Sequence, residues 1–152
     1  MNSPSGKADP IVRPMQPADA AAVSVLIAQL GYERSAQQVL AWIASAGDGR
    51  DQTAFVACLG DEVAGWIEVA VERRLQSEPF VLIGGLVVKD GMRGQGIGRR
   101  LLQCAEAWSW ERKVKTVRVT SRSTRLDAHQ FYARGGYETV KTSVVFEKHR
   151  PG

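Results

Sequence analysis

The chain has 152 residues, 44% hydrophobic and 24% charged, the proportions of one ordinary globular domain rather than a disordered or fibrous chain. Two cysteines, Cys58 and Cys104, are too few and too isolated for a disulfide framework or a zinc site. No apolar run approaches the ~20 residues a membrane helix needs, so a reduced, cytoplasmic setting is expected, with no membrane and no metal.

The net charge of +4 is unevenly spread: Lys89 to Arg125 holds ten basic and three acidic residues, a local +7 against −3 elsewhere. Such a centre suits a polyanionic ligand. Nucleic acid would suit it too, but no nucleic-acid motif accompanies the charge, and none is expected as a partner.

Residues 1–10 are polar and read as a flexible N-terminal segment, with one domain over residues 11–149. Ile11 to Met15 reads as a short first strand, Pro14 marking an edge or strand end. A helix follows near Ala18 to Leu30, with Val23, Leu26, Ile27 and Leu30 at i, i+3, i+4, i+7, ended by Gly31. Ser35 is a good N-cap for a second helix carrying Val39, Leu40, Trp42 and Ile43, which breaks at Gly47-Asp48-Gly49. Thr53 to Leu59 and Val63 to Val71 read as strands joined at Gly60-Asp61. The apolar strand Val81 to Val88 comes next, then a helix from about Gly98 to Arg112 with Leu101, Leu102, Ala105 and Trp108 on one face. Thr116 to Thr120 is a β-branched strand. Ser123 or Thr124 caps a shorter helix bearing Ala128, Phe131 and Tyr132, ended by Gly135-Gly136. Tyr137 to Val140 and Ser143 to Glu147 read as a closing pair of strands. The order β-α-α-β-β-β-α-β-α-β-β implies one mixed sheet flanked by helices, an α/β chain.

The densest signal is Arg93-Gly94-Gln95-Gly96-Ile97-Gly98, lying between an apolar strand and a helix. Glycines let backbone N–H groups approach a phosphate, and a helix N-terminus adds partial positive charge. The nucleoside-triphosphate loop needs a lysine after its last glycine, and none is present. The dinucleotide pattern G-x-G-x-x-G fails as well, its last place falling on Arg99 or Leu101.

Arg93, Gly96 and Gly98 instead match the Arg/Gln-x-x-Gly-x-Gly signature of the GNAT superfamily of acyl-CoA-dependent N-acetyltransferases. Leu86 to Leu102 resembles that superfamily's strand, pyrophosphate loop and helix. Ala128 to Tyr137 resembles its Ala-x-x-x-Tyr-x-x-x-Gly-aromatic segment, and Ile11 to Pro14, Asp19 and Leu30-Gly31-Tyr32 fit the same plan. The resemblance spans about Ile11 to Lys148. It implies a mostly antiparallel sheet with one splayed parallel pair.

It also implies acetyl-CoA as co-substrate and an acetyl acceptor that is a primary amine of a small molecule or peptide. Backbone N–H groups around Arg93, Gly94, Gln95, Gly96, Ile97, Gly98 and Arg99 would hold the pyrophosphate. The main chain of Leu86, Val87 and Val88 would pair with the pantetheine arm, and Gly84-Gly85 suits a bulge that opens this strand. Arg125 and Ala128 complete the cofactor set, Arg125 standing where many relatives have Asn. Tyr132 matches the general acid that returns a proton to the departing thiolate.

Many relatives carry a general base on the strand before the loop, but Val81 to Val88 holds no carboxylate. Glu68, an acid inside the preceding strand, is the nearest candidate; a solvent-facing glutamate is its bland alternative. The competing class is a non-catalytic acyl-CoA-binding regulatory module. Members of the superfamily are often dimers, and Trp108 and Trp110 fall on different faces of one helix, leaving one available to a homodimer contact.

Overall fold

The structure is a computed structural model that describes residues 9–121 and 125–152. It divides into two compact units at the Val119–Thr120 junction.

The first unit holds a five-stranded sheet in the order β1-β2-β3-β4-β5. Its strands are β1 (Ile11–Pro14), β2 (Gln52–Leu59), β3 (Glu62–Glu72), β4 (Phe80–Val88) and β5 (Val117–Val119). The first four run antiparallel, and β5 joins β4 in parallel. Among the described residues that last pairing joins Val81, Leu82 and Ile83 to Val117, Arg118 and Val119, which gives the expected parallel pair.

Adjacent residues of β3 show what covers each face. A side chain at Gly65 would run into Leu101 and Ile97 of α3 (Ile97–Glu111). Trp66, pointing the other way, packs in a core with Val56, Cys58 and Val87. Ala20, Val23 and Leu26 of α1 (Ala20–Gln29) and Val39 of α2 (Ala36–Ser45) complete that core. Both faces of the sheet are covered, as its strands' long apolar runs require.

Local chemistry fixes these helices. Ser35 Oγ accepts from Gln38 N–H at 3.1 Å while Gln38 Oε1 accepts from Ser35 N–H at 2.9 Å, a complete capping box for α2. Helix α1 follows a 3₁₀ turn, Pro17–Asp19, and stops where Gly31 adopts φ +93°. The buried Asp19 takes a two-pronged ion pair from Arg13 at 2.7 and 2.8 Å, tying β1 to the start of α1. That partner holds the Asp19 carboxyl below the usual carboxylate range.

The second unit contains α4 (Leu126–Arg134), ended at Gly135 with Gly136 at φ +91°. The expected caps Ser123 and Thr124 lie outside the described residues. The closing strand pair is corrected: residues 137–147 form no ladder among the described residues. Val140, Val144, Val145 and Phe146 are all exposed there. Alternating β-branched residues make a strand only when another edge takes their hydrogen bonds, and an isolated hairpin is marginal in water.

Candidate active site

Gly94 and Gly96 have φ of +82° and +81°, and a side chain at either would meet nothing within 4 Å. Glycine is needed here for backbone hand, not for space. Gly96 is the N-cap of α3 and, being glycine, offers that helix no side-chain cap. The first N–H groups of α3 lie at the positive end of a 15-residue helix. Arg93 is exposed and pairs with Asp90 at 3.2 Å. Arg99 is exposed on the first turn.

Upstream, Leu86, Val87 and Val88 form the end of β4 past its last contact with β5. Val87 buries its side chain in the core, which leaves main-chain atoms as its means of binding anything. Gln29, the last residue of α1, reaches this strand end: its Nε2 donates to Val88 O and its Oε1 accepts from Asp90 N–H, both at 2.8 Å. The amide thereby fixes both the exit of β4 and the turn that opens the glycine loop.

Glu68 is half-buried on β3, directly opposite Gly85 of β4 and Ala54 of β2. Register shifts here: Glu68 faces Gly85 while Val69 faces Ile83, so Gly84 is the extra residue of a β-bulge. A Cβ at Gly84 would lie 2.8 Å from Glu68 Oε2, and one at Gly85 would lie 2.6 Å from the Trp66 ring. Burial pushes the Glu68 carboxyl above the usual carboxylate range. Trp66 Nε1 is buried without a hydrogen-bond partner among the described residues.

In the second unit, Tyr132 and Ala128 lie on α4, and Arg125 is that helix's N-cap residue. The Tyr132 ring meets Phe131 and Tyr137 edge-on, with centroids 5.2 and 5.9 Å apart. Burial raises its phenol pKa, and the Arg125 charge acts in the opposite direction.

The family model described as the acetyltransferase (GNAT) family matches residues 21–137. The chain belongs to the GNAT acetyltransferases. Among curated GNAT relatives, an aminoglycoside N(6')-acetyltransferase type 1 of Stenotrophomonas maltophilia is 29% identical over 142 residues, covering 90% of this chain and 92% of that protein. An aminoalkylphosphonate N-acetyltransferase of Salmonella typhimurium is 34% identical over 84 residues, 55% of this chain and 54% of the other. Among solved structures, the aminoglycoside N-acetyltransferase AAC(6')-Iy in complex with CoA superposes with a TM-score of 0.81 at 15% identity, covering 93% of this chain and 95% of that one. A transcriptional regulator from Bacillus halodurans gives 0.82 at 23%, covering 91% of this chain and 99% of that one. The structural likenesses establish the GNAT fold.

Within this GNAT chain, the first unit brings together the β4 end, the glycine loop, the start of α3 and Glu68, while Tyr132, Arg125 and Ala128 share α4 or its cap. Gln29 escaped the sequence reading. Its partners lie 59 and 61 residues away, and a glutamine in a last helical turn carries no signal of such a contact.

Proposed function

We propose that this GNAT protein transfers an acetyl group from acetyl-CoA to a primary amine of a small molecule, by direct attack in a ternary complex. One observation carries the reading: two left-handed glycines lead into a helix N-terminus with no N-cap side chain, just past a strand whose described pairing with β5 stops at Ile83. The arrangement fits a pyrophosphate on the N–H groups of Gly94 to Arg99 and a pantetheine amide ladder along Leu86 to Val88. Acetyl-CoA supplies an activated thioester carbonyl.

The remaining chemistry belongs to side chains. Glu68 accepts the proton that an ammonium acceptor must lose before its nitrogen can attack. The new N–C bond forms as the C–S bond breaks, Tyr132 gives a proton to the departing sulfur, and the second proton shed by the acylated nitrogen restores the phenol. Tyr132 enters by the family match of its segment, and its phenol is in the protonated form that a general acid needs. The competing module without catalysis drew support from the absence of an acid on β4; Glu68 lying against that strand weighs against it.

The acceptor follows from the relatives' names: an aminoglycoside and an aminoalkylphosphonate are both polar small molecules with a primary amine. Thiol release from acetyl-CoA against a panel of aminoglycosides, aminoalkylphosphonates, polyamines and lysine peptides tests this, with turnover expected on small-molecule amines. Tyr132→Phe is expected to lower kcat about 100-fold or more while leaving the KM for acetyl-CoA within a few fold. Undiminished kcat in that variant removes Tyr132 from the mechanism.

A further inference from the structure

We propose that Gly84 is a positioning residue: by lacking a side chain at the β4 bulge, it forms the seat that holds the Glu68 carboxylate against β4, while Gly85 beside it makes room for the Trp66 ring. The inference rests on the reading of Glu68 as proton acceptor and adds the residue that places it.

The two bulge glycines differ from those of the phosphate loop. Neither has a positive φ, so backbone hand does not explain them. What explains them is volume. The place of a Gly84 side chain is filled by the end of Glu68, with Oε2, Cδ and Oε1 at 2.8, 3.0 and 3.3 Å. The place of a Gly85 side chain is filled by the Trp66 ring, two atoms of which lie at 2.6 and 2.9 Å. Trp66 and Glu68 stand two residues apart on β3, so both point to the same face of the sheet. The bulge aims both glycines at that face, where a regular β4 would aim only one.

The row across the strands is small everywhere else. Ala54 faces Glu68 from β2 and Gly85 faces it from β4, with Trp66 and Ala70 on either side along β3. None of these four residues carries a charge, and in the proposed reaction a cationic acceptor amine brings one to the carboxylate. An acid expected on β4 is thus delivered from β3, its carboxylate occupying the space that a β4 side chain would take.

Gly84→Ala is a clean probe, because the atoms its methyl meets are the far end of a flexible side chain and Gly84 itself is exposed. The carboxylate moves toward water and the fold stays, which a melting curve verifies. Two readouts follow. Carbon-detected NMR titration of the Glu68 carboxyl is expected to show its pKa falling toward the ordinary range in Gly84→Ala. For the best amine of the acceptor panel, kcat/KM is expected to fall about tenfold with the KM for acetyl-CoA unchanged. The acid limb of the pH profile should move to lower pH. In a double-mutant cycle, Glu68→Ala with Gly84→Ala is expected to be no worse than Glu68→Ala alone, since both act through one carboxylate.

An unchanged Glu68 titration in Gly84→Ala overturns the seat, as does full additivity in the cycle. If Glu68→Ala leaves turnover intact while Gly84→Ala still shifts the titration, the seat stands and the proton-acceptor role falls.

Discussion

Glu68 carries its charge at a cost to folding. Burial pushes its carboxyl above the usual carboxylate range. The folded state therefore holds this proton more tightly than the unfolded chain. Stability from the protonated form is fully present below the unfolded value and is lost as pH rises through the raised folded value. Asp19 runs the other way: its ion pair with Arg13 contributes above the carboxylate range and is lost as pH falls. Glu68→Gln is accordingly expected to raise the melting temperature by a few degrees at pH 7.5 while removing most turnover. At acid pH, where Glu68 is protonated in both states, the difference should vanish. Thermal melts at both pH values check the pair of outcomes, and a variant less stable than the parent at pH 7.5 contradicts them.

Helix α3 shows how an element is held at one end and left open at the other. Its C-terminal turn is closed by backbone bonds from Arg112, Lys113 and Val114 back to Ser109 and Trp110. Arg112 also donates to the carbonyls of Gly49 and Arg50 at 3.1 and 2.7 Å and stacks on Trp108. Lys113 takes φ +61° there, a left-handed conformation that glycine adopts at no steric cost. Lys113→Gly is expected to stabilise the protein by about 0.5–1 kcal/mol, the relief of strain exceeding the added freedom of the unfolded chain. Chemical denaturation with an unchanged slope would measure it.

Helices were the most legible elements, because their signals are local. Ser35 with Gln38, Gly31 after α1, and the periodic Leu101, Leu102, Ala105 and Trp108 each sit within a few residues of what they determine. Trp110 is exposed and Trp108 buried, as their spacing requires. The phosphate loop was legible for the same reason. The closing strands were not, since Tyr137 to Glu147 has strand composition but a strand exists only by pairing. Gln29 and the seat of Glu68 were hidden too: both arise where distant segments meet, and the Gly84-Gly85 pair gave a hint of a bulge without showing which side chain fills it.

Across the molecule, the +7 of Lys89 to Arg125 is not all available to a ligand. Arg112 is spent on carbonyls and Trp108, Arg118 lies over the Phe80 ring, and Lys89 pairs with Glu62. Arg93 and Arg99 remain exposed beside the loop. Binding of CoA at about 100 times its dissociation constant should stabilise the fold by about 2.7 kcal/mol. In a chain of this size that raises the melting temperature by roughly 5–10 °C. The gain should shrink as salt screens the exposed arginines. Differential scanning calorimetry with CoA at low and high ionic strength measures both, and no shift at saturating CoA contradicts the site.

The bulge of β4 also constrains how such a chain can change over generations. An acid introduced at position 84 while Glu68 remains would bring two negative charges into one uncharged, half-buried space, where both cannot stay ionised. Exchanging Glu68 first removes the proton acceptor of the proposed mechanism. The two locations of the acid are therefore separated by a valley that single substitutions cross only through a crippled ancestor. Descendants of this chain inherit the β3 solution, and the two glycines with it.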